Sequence, residues 1–315
     1  MVQSLRTGIG FAFACLIILG AMPILSNARP TALGGLTFAI WLTFWQLIAA
    51  LPLFAFERAG AKRRGGTDAS KPKLTRTAAA IALATGAMFG LSTWMYVVAA
   101  EKAGPVNMII ALQAYPLFAM VVEAILLKKR KSAAEAGFTL LMIAAIVYLT
   151  TEGTFRVSEI SWWSAFALGI PLLWAVAHIL LRQILVSAEV TPNQITVSRL
   201  IISGVFLLVL YGVTVADGTL SAALTDLSFQ RAAIVMGVAY YVELILWFNA
   251  VRHIDVSLAS SITVPAPAVT MAIAVTLLGD AVQGYQVLSM CVIAAAMYGL
   301  LLAGKRAEAR RAARA

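Results

Sequence analysis

The sequence predicts an all-α polytopic membrane protein, with ten transmembrane helices arranged as two inverted five-helix repeats. Three observations carry this expectation. Hydrophobic residues make up 61% of the chain and charged residues 12%, with a mean hydropathy of +0.90, far from the composition of a water-soluble domain. Ten apolar stretches are each long enough to cross a hydrocarbon core about 30 Å thick, which takes roughly 20 helical residues. They group as five and five, and an odd number per unit sends a second copy into the membrane upside down.

The spans fall at 7–26, 34–56, 77–100, 105–126, 133–151, 160–183, 192–214, 231–251, 256–278 and 283–303. The first follows Arg6 and carries Cys15. As a secretory leader it would end near Ser26-Asn27-Ala28, but the run is long for a leader, and its removal leaves nine spans and a broken repeat. The second holds Trp41 and Trp45 at mid-span, where interfacial anchoring does not explain them. The segment Glu57 to Arg76 is basic and contains Gly65-Gly66 and Pro72, which makes it a solvated linker. Trp94 and Tyr96 occupy the outer half of the third span. The fourth offers Asn107, Gln113 and Tyr115-Pro116, and ends near Glu123, a boundary residue. The fifth follows the basic run Lys128 to Lys131.

Trp162-Trp163 open the sixth span as interface anchors, and Trp174 and His178 follow within it. Arg199 lies in the first half of the seventh. The eighth is the richest, with Tyr240, Tyr241, Glu243, Trp247 and Asn249. Pro265 and Pro267 disturb the ninth near its middle, because proline removes a backbone donor and crowds the preceding turn. The tenth carries Cys291, and the tail beyond Gly304 is rich in Ala, Arg and Glu, suited to a short helix on anionic lipid. The domain reading is therefore 1–152 and 153–305 for the two repeats, with 306–315 as a basic tail.

Charge sets the orientation. Of the 24 Lys and Arg residues, only Arg29, Lys102, Arg156 and Arg231 fall on the side away from the N-terminus, and Arg199 is inside a span. The positive-inside rule places both termini in the cytoplasm. The net charge of +10 thus belongs to a lipid face, and nucleic acid is not an expected partner. Cys15 and Cys291 read as small packing residues. No zinc spacing, nucleophile with adjacent base, phosphate loop or nucleotide fingerprint occurs, so neither enzyme, cofactor nor metal is expected. A homodimer is compatible with the pattern.

The halves repeat weakly. Ile143-Ala144-Ala145 recurs as Ile293-Ala294-Ala295, Tyr148 as Tyr298, Val106 as Val256 and Lys102 as Arg252, and one residue of slippage sets Pro116 opposite Pro267. Breaks at matching places point to hinges at Pro116 and Pro267. The segments Ala103 to Leu149 and Ile254 to Leu302, the latter with Pro267 and then Leu277-Leu278-Gly279-Asp280, resemble the signature regions of the drug/metabolite transporter superfamily, EamA type. In that pattern a proline within the fourth or ninth span precedes an acidic residue at its end. Asp280 fits, whereas the first-half position is Lys129, a departure. The resemblance implies a ten-helix exporter of the bacterial inner membrane, with a central cavity lined by most spans except the fifth and tenth.

Charged and aromatic side chains at bilayer depth are the candidate binding groups. Tyr240, Glu243 and Trp247 share one helical stripe, and Glu243 can pair with Arg199 if their spans are neighbours. His178 is a candidate for titration during a cycle. Together Trp41, Trp45, Trp94, Tyr96, Tyr115, Trp174, Tyr240, Tyr241 and Trp247, with the amides Asn107, Gln113 and Asn249, suit a planar, partly apolar solute held by stacking or cation–π contact. Within the superfamily the chain looks most like the aromatic amino-acid exporters, called YddG-like. The expected function is export of small amphipathic metabolites, most specifically aromatic or other hydrophobic amino acids, by alternating access. The alternatives are a carrier of another metabolite or a drug-like cation, and a structural or enzymatic membrane protein without transport. For the orientation, a Gly65→Cys variant in intact cells should resist a membrane-impermeant thiol reagent applied from the periplasm and react once the membrane is opened.

Overall fold

A computed structural model describes residues 5–63, 76–126, 133–187, 192–254, 259 and 262–312. The helices are α1 (Leu5–Asn27), α2 (Gly35–Arg63), α3 (Arg76–Lys102), α4 (Pro105–Leu112), α5 (Tyr115–Leu126), α6 (Ala133–Thr150), α7 (Trp162–Ala167), α8 (Gly169–Ser187), α9 (Pro192–Thr214), α10 (Thr219–Thr225), α11 (Leu227–His253), α12 (Ala266–Ile273) and α13 (Gly284–Ala312). No strand occurs among the described residues. Seven helical stretches there are long and apolar enough to cross a membrane, and three further apolar stretches, Pro105–Ala119, Ala266–Leu278 and Gly284–Leu300, are shorter. The linker residues 64–75, the run Lys128 to Lys131 and Val256 lie outside the described residues, as do the side chains of Glu123, Arg182 and Arg252.

Several helices outrun their expected spans for local reasons. α2 continues to Arg63 because Ala59, Ala61 and Lys62 favour helix and no breaker precedes Gly65-Gly66. α11 starts at Leu227 because Asp226 caps it, its Oδ1 accepting from the Phe229 N–H at 3.0 Å. The tail beyond Gly304 is no separate surface helix, since α13 runs unbroken to Ala312.

The prolines do more than kink. The fourth apolar stretch stops at Leu112, turns through Gln113-Ala114 and restarts with Tyr115-Pro116. The ninth turns through Val264-Pro265 and restarts with Ala266-Pro267. Each proline therefore sits in the first turn of a new helix, where its missing N–H has no intrahelical partner to lose. The Phe118 N–H reaches the Ala114 carbonyl at 3.1 Å, and the equivalent Val269 N–H reaches the Pro265 carbonyl at 3.3 Å. Beyond α12, residues Ala274–Leu278 form a π-helical turn closed by Gly279 in the left-handed region at φ 71°. The sixth stretch is interrupted once, at Leu168, between α7 and α8. Pro171 lies in the first turn after that point.

The chain divides into two compact units. One comprises Met1–Asn27, Ala99–Ala175 and Ile245–Ala315, and the other Ala28–Val98 and Val176–Leu244. Each draws on both sequence halves, so the repeat boundary near 152 concerns chain order and the units concern packing. In the first unit α1 packs on α12 and α4, and α13 packs on α6 and α4. The Thr270 hydroxyl donates to the Gly20 carbonyl at 2.5 Å, which fastens α12 to α1.

In the second unit α2 packs along α9 and touches α10. The Ser203 hydroxyl donates to the Gly86 carbonyl at 2.7 Å, which fastens α9 to α3. The loop between α9 and α10 is knotted by Asp217, whose Oδ1 accepts from the Thr219 N–H at 3.0 Å, the Thr219 hydroxyl at 2.7 Å and the Tyr211 hydroxyl at 3.0 Å. Those bonds, the backbone one first, hold the Asp217 carboxyl below the usual carboxylate value.

Close helix approach depends on absent side chains. A Cβ added at Gly237 of α11 would stand 2.8 Å from the Leu42 carbonyl oxygen and 2.9 Å from the Gln46 nitrogen of α2. A Cβ at Gly10 of α1 would meet nothing within 4 Å. Gly237→Ala should therefore lose about 1–3 kcal/mol through overpacking. Gly10→Ala should gain up to about 1 kcal/mol from helix propensity. Opposite shifts in thermal unfolding of the two detergent-solubilised variants are the expected outcome.

Candidate functional site

Four candidate residues of the second unit come together with two that the site reading had not included. The Arg199 guanidinium of α9 lies over the Phe89 ring of α3, 4.3 Å from its centroid. The His178 ring of α8 stands on the same Phe89, at 5.3 Å between centroids. Tyr96 of α3 and Tyr240 of α11 meet at 5.9 Å, tilted by 52°. Tyr240 and Glu243, one turn apart on α11, both lie close enough to Arg199 to act on it electrostatically, and Arg199 acts in turn on His178. A cation, a carboxylate, an imidazole and three aromatic rings thus share one neighbourhood inside apolar helices. Tyr96 is 2% exposed, and its hydroxyl has no hydrogen-bond partner among the described residues. Buried polar atoms seldom stay unpaired without a reason.

The remaining candidates in this unit are placed as follows. The Trp45 indole N–H donates to Gln230 Oε1 at 2.8 Å, joining α2 to α11. Trp41 stands edge-on to Phe44 at 5.5 Å, and its buried indole N–H finds no partner among the described residues. Trp94 is half-buried on α3. Tyr241 is buried, and its electrostatic neighbour is Glu57 of α2.

In the first unit the amide Asn107 heads a polar network. Its Oδ1 accepts from Gln286 Nε2 at 2.8 Å, and its Nδ2 donates to the Tyr285 hydroxyl at 3.3 Å. This network lies beside a cavity of about 210 Å³, whose wall includes Gly104, Pro105, Asn107, Asp280 and Gln286. Gly104 shapes that wall at φ 79°, ψ 152°, a conformation open in practice only to glycine. Trp247 packs against the buried cluster of Ala12, Ala250, Ile254 and Ala259. The Asn249 amide turns back onto the Ile245 carbonyl at 2.8 Å. Gln113 caps α4, with its N–H on Ile110 at 3.1 Å, Tyr115 begins α5 with Pro116 behind it, and Trp174 is half-buried on α8. Pro267 is buried in α12.

The site reading left out Phe89, Tyr285 and Gln286, and Arg199 entered it only as a partner for Glu243. Phe89 carries no signal in a span full of apolar residues. Tyr285-Gln286 do carry one, as two polar side chains in the first turn of an apolar helix. Among the described residues no group of His, Cys, Asp and Glu is placed to hold a metal ion.

Residues 161–302 match the model of the EamA-like transporter family. No curated protein matches the chain. A solved structure, titled only as the crystal structure of a protein, is similar in fold, with a TM-score of 0.60 at 16% identity over 95% of this chain and 98% of its own.

The Trp45–Gln230 bond gives Trp45 a packing role. Trp45→Phe and Gln230→Met should each destabilise the protein, and a double-mutant cycle on thermal stability should return a coupling of about 0.5–1.5 kcal/mol. Solute affinity per folded molecule should hold in Trp45→Phe.

Proposed function

We propose, with the EamA-like region of residues 161–302 as the starting point, that the whole chain is a secondary transporter of the bacterial inner membrane. It exports small amphipathic metabolites, aromatic or other hydrophobic amino acids above all, by alternating access. The observation that carries this reading is the cluster of Arg199, Glu243, His178, Tyr96, Tyr240 and Phe89 in the second unit. Charges at bilayer depth are expensive and are retained where a pathway needs them. Rings beside those charges offer stacking surface to a planar solute.

The inverted ten-span arrangement is part of the same proposal, and two features support it. The breaks before Pro116 and Pro267 coincide at an offset of one repeat, down to the equivalent hydrogen bonds of Phe118 and Val269. Helices at corresponding places in the two halves also meet: α2 with α9, α4 with α12, α6 with α13, and α3 with α11 through Tyr96 and Tyr240. A pseudo-two-fold axis in the membrane plane produces such pairs. The two breaks supply hinges, since a helix restarted after a turn can tilt without losing its internal hydrogen bonds. Glu243 and His178 are the groups through which a proton would pass, and we favour facilitated export without one.

Counterflow of labelled phenylalanine in proteoliposomes tests the reading. Phenylalanine should compete and glutamate should not. Tyr240→Ala should weaken apparent affinity by about 0.5–1.5 kcal/mol beyond lost area, with Trp41→Ala and Trp94→Ala in the same direction. Trp247→Ala should lower protein yield while sparing affinity per molecule. Unchanged affinity in Tyr240→Ala, Trp41→Ala and Trp94→Ala at normal yield would remove the aromatic site.

A further inference from the structure

The cavity at the start of α4 lies wholly within the first unit and shares no residue with the Arg199 cluster. At about 210 Å³ it far exceeds the roughly 10–15 Å³ that a single water needs. One backbone group sets the polarity of its wall. The Gln283 N–H can only donate, and it donates to Gln286 Oε1 at 2.8 Å. Gln286 Nε2 is thereby turned to Asn107, whose Oδ1 accepts at 2.8 Å. Asn107 Nδ2 is left to the Tyr285 hydroxyl, at 3.3 Å. Both amide oxygens are thus engaged, whereas each amide nitrogen has two N–H groups and uses one of them among the described residues. The same wall carries the exposed Asp280, which forms no ion pair among the described residues. Gly279, in the left-handed region at φ 71°, makes the turn that brings Asp280 there. Lys102, next in sequence to Ala103 of the wall, is held by Glu101 at 2.8 Å.

We propose that this cavity binds the head group of an α-amino acid, with Asp280 taking the ammonium and the spare N–H groups of Asn107 and Gln286 taking the carboxylate. The wall selects its ligand by the groups it leaves unanswered. A hard metal ion asks for about six oxygen ligands, and this wall offers N–H groups where several of them would stand. A simple amine engages Asp280 and leaves both amide donors without an acceptor. A simple carboxylate meets the donors and is repelled by Asp280. A zwitterion answers both ends and brings no net charge. The place of the site in a cycle rests on the exporter reading. Lys102 and this end of α4 belong there to the side away from the N-terminus, which makes the cavity an outward station that holds the head group before release.

Protection of an introduced thiol reads the site in the purified full-length protein. Ala281 lies on the wall, so Ala281→Cys is combined with Cys15→Ala and Cys291→Ala, and its alkylation rate is measured with glycine and with its two halves, methylamine and acetate. Glycine should slow alkylation at a concentration about tenfold or more below that needed of either half, since a polar site rejects analogues that lack one of its partners. Asp280→Asn should raise the glycine concentration required by about tenfold, through loss of a charge-assisted bond, and bring glycine level with acetate. Gln286→Leu should bring glycine towards methylamine. Size-exclusion profiles certify folding, and if Gln286→Leu fails to fold, the exposed Asp280→Asn decides. Equal protection by all three compounds, no protection by glycine, or full glycine protection in Asp280→Asn overturns the site. Counterflow of phenylalanine keeps the two readings apart. Counterflow without glycine protection removes the site and leaves the exporter standing, while glycine protection without counterflow removes the outward station and leaves the binding site.

Discussion

Hydrocarbon offers no hydrogen bonds, so a backbone crossing it must satisfy every N–H and C=O from within. That constraint explains why the described chain is helical nearly throughout, and it also governs how the helices are allowed to break. At Gln113-Ala114 the freed N–H groups turn back onto Ile110 and Ala111 at 3.1 and 3.0 Å. At the end of the π-helical turn the Asp280 N–H returns to the Ala274 carbonyl at 3.0 Å. Proline follows the first of these turns in a place where it removes no bond. Interruptions are thus inexpensive locally, which allows the protein to carry several of them.

The same shortage of solvent shapes the polar side chains. Many Thr and Ser hydroxyls bond carbonyls of their own or a neighbouring helix, as Thr270 does with Gly20 and Ser203 with Gly86. Asn107, Tyr285 and Gln286 satisfy one another. Arg199 is a full charge lying over a ring, and Glu243 is near enough to act on it. The Tyr96 hydroxyl, like those of Ser26, Ser164, Tyr241 and Ser289, is buried with no hydrogen-bond partner among the described residues.

The sequence made the membrane class, the helix positions and the breaks near Pro116 and Pro267 legible, because hydropathy and proline act locally. It also pointed to Tyr96, His178, Tyr240 and Glu243, since polar and aromatic residues at depth are conspicuous. It could not separate Trp45, engaged by Gln230, or Trp247, engaged by the cluster around Ala12, from rings with free faces. Their partners lie far along the chain, and no local pattern encodes which tryptophan meets which neighbour. Phe89 was illegible for the same reason, as a phenylalanine becomes a cation platform only when Arg199 is folded over it. The helices run past the expected spans, to Arg63 and from Leu227, because helix propensity and a capping aspartate extend the rods beyond the apolar window.

Both packing units are discontinuous in sequence, and this sets an order on biosynthesis. Trp45 enters the membrane 185 residues before its partner Gln230, a delay of roughly ten to forty seconds at about 5–20 residues per second. The unit that contains them has all its segments once Leu244 is made. The other unit waits longer, since Gly20 precedes Thr270 by 250 residues and its last segment is Ile245–Ala315. Neither half of the chain, synthesised alone, can complete either unit. The ribosome therefore delivers two unfinished bundles at once, and the earliest helices must be kept from wrong neighbours until the last ones arrive.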